Sequence, residues 1–139
     1  MSFEINCRMN PSPDYLPCLK PGRLVVLSCP SGEGFDIVML GDNSPAVDAE
    51  HINFSNPHSL RTLLKNCGFE VLEFTTPGKF DAEIVRDAAL AGTLDLGTDP
   101  FLKKTLIDEW DRLGWPFQTF LAENEFSSHM GILARRLEI

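Results

Sequence analysis

The sequence predicts an α/β fold in one domain spanning residues 1–139. Three observations lead there. Residues 23–29 have a continuously apolar centre, Leu24-Val25-Val26-Leu27, which suits a strand covered on both faces in a parallel α/β sheet. Residues 55–67 place Leu60, Leu63, Leu64 and Cys67 at i, i+3, i+4 and i+7, one apolar helical face. Residues 69–75 follow at once with Phe69, Val71, Leu72 and Phe74, a second strand. Strand, helix, strand is a crossover unit, and such units are right-handed in nearly all sheets. A chain of 139 residues is long enough to bury a core.

The elements follow in order. Residues 1–13 read as irregular because Pro11 and Pro13 break regular structure, and 14–19 read as a short helix. Lys20-Pro21-Gly22 is a turn: proline presets the bend and glycine accepts a positive φ. Residues 30–34 form a loop, 35–40 a short helix ended by Gly41-Asp42-Asn43, and 46–54 a loop. Ser55 is the expected cap of the clearest helix, Pro57 lies in its first turn, and Gly68 closes it. Thr76-Pro77-Gly78 ends the second strand. Asp81 is then expected to cap a helix reaching Leu90, with Ile84, Val85, Ala88 and Ala89 inward and Gly92 stopping it. Asp99 caps a helix over 100–113, with Leu102, Leu106, Trp110 and Leu113 on one stripe. Gly114 and Pro116 are expected to interrupt it before a further helix over 117–124 and a last strand over 129–137.

Composition narrows the function. The net charge is −8, and the tight basic pairs are Lys103-Lys104 and Arg135-Arg136, which argues against nucleic acid as the main partner. No apolar run approaches the ~20 residues of a membrane span; the longest, 24–27, is strand-sized. Residues 1–10 carry Glu4 and Arg8 and lack a signal-like apolar stretch, so the expected location is the cytoplasm, without membrane attachment. Cys7, Cys18, Cys29 and Cys67 form no Cys-x-x-Cys pair and no histidines lie at zinc-finger spacing, so the thiols read as structural and no metal is expected.

Two longer strings carry a resemblance. Leu19-Lys20-Pro21-Gly22-Arg23-Leu24-Val25-Val26-Leu27 resembles the L-K-P-G-G-x-L stretch leading into the fifth strand of class I S-adenosylmethionine-dependent methyltransferases, with Arg23 in place of the second glycine. His51-Ile52-Asn53-Phe54-Ser55, Ser59-Leu60, Leu63-Leu64 and Cys67-Gly68-Phe69-Glu70-Val71 resemble the family's H-x-x-F-[ST]…L…L-L…G-F-E-V run. Ser2-Phe3-Glu4-Ile5 with Asn10-Pro11 resembles the end of its fourth strand, although the family's Glu-His pair is absent from Asn6 to Met9. The resemblance implies a partial Rossmann-like methyltransferase fold, a mixed sheet of three to four strands. In it, the antiparallel last strand inserts between 23–29 and 69–75, and residues 79–128 form a helical insertion.

The family's Gly-rich cofactor loop and ribose-binding acid belong before Met1. The chain is therefore expected to be the C-terminal half of the fold. S-adenosylmethionine is then the cofactor of the complete form, which transfers methyl to a small-molecule acceptor, and this chain alone binds none. Leu94-Asp95-Leu96-Gly97-Thr98-Asp99 resembles the family's L-D-L-G-x-G loop, but Asp99 and Pro100 depart from it, and a helix-to-helix loop is the plainer reading. Gly32-Glu33-Gly34 follows a strand in the right context for an anion, yet Glu33 is negative and a turn fits better. Glu4, Pro30, His51 and Asn53 are the residues expected to line the acceptor side. His51 reads otherwise as a structural histidine, Glu4 as a solvated carboxylate and His58 as a surface residue. Trp110, Trp115, Phe117 and Phe120 read as core by their spacing, or as an apolar acceptor wall. A sheet lacking its first strands also exposes an edge, so the expected partner is a second copy or a separate cofactor-binding subunit.

Overall fold

The computed structural model describes residues 3–6 as backbone and residues 19–49 and 54–138 in full. Strands β1 (Phe3–Asn6), β2 (Leu24–Pro30), β3 (Phe69–Thr75) and β4 (His129–Arg136) form one open sheet in the order β1-β2-β4-β3. β1 and β2 are parallel, and β4 runs antiparallel to β2 on one side and β3 on the other. The last strand thus lies between the two apolar segments that opened the sequence argument. Five α-helices complete the described fold: α1 (Phe35–Leu40), α2 (Pro57–Asn66), α3 (Asp81–Leu90), α4 (Pro100–Lys103) and α5 (Trp110–Glu123).

The turn before β2 forms as expected: Gly22 has φ 77°, and the Arg23 amide donates to the Lys20 carbonyl at 3.2 Å. Along β2 and β4 alternate residues point inward, so Val25, Leu27, Cys29, Met130, Ile132 and Ala134 meet Leu60 and Leu64 of α2 and Phe69 of β3 in one core. The opposite face departs from expectation. Val26 remains 36% exposed and Leu24 and Leu133 are half-buried, so β2 is sealed on one side only. The crossover puts α2 on one face, while the helices after β3 gather at the strand ends. There Ala82 and Val85 of α3, Leu96, Leu106 and Leu121 form a second core with Phe35 and Met39 of α1.

Three helix boundaries differ from the sequence reading. The cap of α2 is Asn56, not Ser55: its side chain accepts from the Ser59 amide at 2.7 Å, and the Ser59 hydroxyl accepts from the Asn56 amide at 2.9 Å. Proline at the first helical position forces the residue before it into extended backbone, which selects Asn56. Asp81 does not cap α3; it is the first helical residue and its carboxylate turns elsewhere. The helix begun at Pro100, capped by Asp99 as expected, passes into a π-helical turn over Lys104–Asp108, where the Glu109 amide reaches back to the Lys104 carbonyl at 2.9 Å. The chain breaks there, at Glu109, and α5 then continues through Gly114 and Pro116. The carbonyl that Pro116 deprives of a partner belongs to Arg112, which is exposed, while Gly114, Gln118 and Leu121 are buried along the inner face. Of the helix expected over 14–19, residues 14–18 lie outside the described residues, and Leu19 is a bend packed against the first core.

Leu64 is fully buried at the centre of the first core. Leu64→Ala is expected to lower stability by about 3 kcal/mol through lost transfer energy and the cavity left behind, measured as a drop in the urea midpoint.

Candidate functional site

β2 and β3 end on the same edge of the sheet, where β4 begins, and a cleft of about 350 Å³ opens there among Gly78, Phe80, Asp81, Ser128 and His129. Asp81 organises it. The carboxylate is almost wholly buried and accepts hydrogen bonds from the Ser128 amide at 2.7 Å and from the Ser127, Ser128 and Gln118 side chains at 2.8 Å. Gln118 is used at both ends: its oxygen accepts from the Ala82 amide at 2.8 Å and its nitrogen donates to the Gly78 carbonyl at 3.0 Å. Gly78 is required by close approach, since a methyl there would overlap Ser127 Oγ and Asp81 Oδ2. Burial pushes the Asp81 carboxyl up, but the Ser128 amide, the two serine hydroxyls and Gln118 outweigh it and hold its pKa below the usual carboxylate value. The result is an ionised clamp joining the start of α3, the middle of α5 and the entry to β4.

Beside the clamp, His129 Nε2 lies 3.1 Å from Ser28 Oγ on the open face of the sheet. Gly131 stands opposite Ser28 in register, which leaves room for His129 to reach diagonally across. This exposed imidazole and the half-buried Ser28 hydroxyl lie outside the clamp. Among the described residues no group of three His, Cys, Asp or Glu is arranged to hold a metal ion. Nor is any described helix long and apolar enough to cross a membrane.

Of the four expected site residues, Pro30 and Glu4 fall among the described residues, and they stand at different levels of the sheet. Pro30 ends β2 opposite His129, at the mouth of the edge. Glu4 lies inside β1, level with Val26. That is four residues short of the Pro30 level, roughly 13 Å at ~3.3 Å per residue. His51 and Asn53 lie outside the described residues. Asp81, Ser127, Ser128 and His129 were missed; the one signal was the Ser127-Ser128-His129 string ahead of the last strand.

The glycine-rich strings take their plainer readings. In the 94–99 loop Asp95 Oδ1 accepts from the Gly97 amide at 2.7 Å, and Leu94 and Leu96 pack into the second core. At 32–34 the Glu33 carboxylate accepts from Asn56 Nδ2 at 2.8 Å, and a methyl on Gly34 would overlap the Ser128 backbone. His58 is exposed in the first turn of α2. Cys29 is buried and Cys67 half-buried, while Cys7 and Cys18 lie outside the described residues. Of the four aromatic residues, Trp110 and Phe117 pack on the second core, but Trp115 is 68% and Phe120 50% exposed, so half of the supposed core stripe faces solvent. Compared with known proteins, the chain matches no family model and no curated protein.

A carboxylate with a lowered native pKa stabilises the fold fully above its unfolded value of about 4 and loses that contribution as pH falls through the lower native value. Stability of the chain is therefore expected to fall steeply below pH ~4. Asp81→Asn is expected to cost about 2–3 kcal/mol at neutral pH, because its amide nitrogen must face either the Ser128 N–H or the Gln118 Nε2, neither of which can accept, and to flatten that acid limb. Urea titrations from pH 3 to 7 measure both.

Proposed function

We propose that the chain forms the C-terminal half of a class I methyltransferase fold. In its complete form that fold transfers a methyl group from S-adenosylmethionine to a small-molecule acceptor. The observation that carries this reading is the strand arrangement: β1 parallel to β2, and the last strand antiparallel between β2 and β3. A terminal strand inserted against the direction of its neighbours is an unusual way to finish an α/β sheet. It coincides here with the K-P-G and G-F-E-V strings at the starts of β2 and β3. In such a reaction the protein's main work is to hold the acceptor against the sulfonium methyl. The strand ends near Pro30 and His129 are the side from which this chain would contribute. The Gly-rich loop and ribose-binding acid would come from a segment or subunit outside it.

One observation favours a second, non-catalytic reading as a partner-binding module. The open face carries Val26 at 36% and Leu72 at 44% exposure, next to half-buried Leu24 and Leu133. Apolar surface of that kind seeks a cover, in a second copy or a cofactor-binding subunit.

Two measurements separate these readings. Calorimetric titration of this chain with S-adenosylmethionine is expected to show no micromolar binding, whereas a form extended upstream of Met1, or joined by a Gly-rich subunit, is expected to bind. Failure of the extended form to bind overturns the methyl-transfer reading. Sedimentation of the chain is expected to show self-association that Val26→Lys abolishes. A monomer at high concentration counts against the module.

A further inference from the structure

A second cleft, about 420 Å³, lies between α3 and α5 and is walled by Phe80, Trp110 and Trp115. Phe80 and Trp115 are 62% and 68% exposed, an arrangement that leaves two large ring surfaces open to solvent. Hydrophobic burial alone disfavours this, so the rings invite a ligand. Trp110 forms a fixed wall: a methyl on Gly114 would overlap its ring, so the indole lies close against that backbone. Arg86 Cζ sits 4.9 Å from the centroid of the same indole. This wall therefore already makes a cation–π contact within the chain.

The charges in the cleft favour the same kind of ligand. Glu83 and Asp111 line it with exposed carboxylates, and neither makes an ion pair among the described residues. Lys79 is the single base against these two acids in the lining. The whole chain carries −8, which adds a long-range pull on cations. Aromatic faces flanked by carboxylates, in a cleft within the size range of small-molecule sites, match an alkylated ammonium ion. Its charge meets the ring quadrupoles and the acids, while its methyl groups meet the rings. A neutral apolar ligand would leave both carboxylates without purpose, and an anion would be repelled by them.

We propose that the α3–α5 cleft binds a small organic cation of the quaternary ammonium class. Phe80 and Lys79 also line the strand-end cleft, whereas Glu83, Trp110, Asp111 and Trp115 do not, and the assignment does not depend on the methyl-transfer reading. The chain has two tryptophans, and both line the cleft, so their emission reports directly on its occupancy. The test titrates the full chain with choline and, in parallel, with its neutral isostere 3,3-dimethylbutanol, at ionic strength matched with sodium chloride. The expected result is a saturable change in tryptophan emission with choline, with the isostere weaker by on the order of tenfold. The Glu83→Gln/Asp111→Asn double variant is expected to bind choline several-fold more weakly, and Phe80→Ala to lose most of the response while keeping its circular dichroism spectrum. Equal binding of choline and the isostere overturns the proposal, as does unchanged emission with choline. Undiminished affinity in both variants also overturns it, because the cation would then sit elsewhere.

Discussion

β4 is the constraint from which the rest of the architecture follows. It pairs along its length with β2 and β3, strands that run the same way and would otherwise need to meet directly. Its inward residues Met130, Ile132 and Ala134 occupy the middle of the first core, between Val25, Leu27 and Cys29 on one side and Phe69 on the other. Removing the strand would leave two parallel strands with a gap about two strand spacings wide, and α2 would have no continuous surface to lie on. Because β4 must start at the edge where β2 and β3 end, the chain has to arrive there from the helical cluster. The Asp81 clamp meets that demand: it seizes Ser127 and Ser128 immediately before the strand begins. The sheet core and the helical core are coupled at that carboxylate. A second tie joins Arg61 of α2 to Glu125 of the same approach segment, with the guanidinium 3.9 Å from the centroid of the Phe74 ring.

The parts of this fold legible in the sequence are those set by local pattern. The bounds of β3 and α1 and the end of α3 follow from period-2 and period-3.6 spacing and from the glycines and prolines between them. Asp99 could be read as a cap because its partner, the Leu102 amide, is three residues away. Asp81 could not be read correctly, because its partners Gln118, Ser127 and Ser128 lie 37 to 47 residues along the chain. Nothing local distinguishes a capping aspartate from one that reaches across the fold. Pro116 misled for the opposite reason: the local rule against proline is sound, but burial of Gln118 and Leu121 along α5 outweighs one missing hydrogen bond. The apolar centre of β2 indicated burial on two faces, and Val26 shows that an apolar run need not be covered within its own chain.

The candidate site was less legible than the fold. Pro30 could be placed at the end of β2 because strand ends follow from strand bounds. Glu4 was displaced because its four-residue strand carries too little pattern to fix a boundary. Ser28 and His129 meet across two strands 101 residues apart in sequence, a proximity that arises only once β4 is inserted. The aromatic residues of α5 were assigned inward by spacing alone. Helical periodicity identifies which residues share a face but does not say which face is wet, and Trp115 is on the wet one.

The irregularity in β3 shapes the border of the sheet. Its register slips between Val71 and Glu73, Leu72 bulges out, and Glu70 and Glu73 stand exposed along the outermost strand. A border bent by a bulge is a poor template for another strand. At the far border β1 is flanked by β2 on one side, and among the described strands none pairs with its other side. The two borders thus differ as surfaces for strand addition: the bulge kinks the β3 border and interrupts its ladder of backbone donors and acceptors, whereas the described β1 carries no such break.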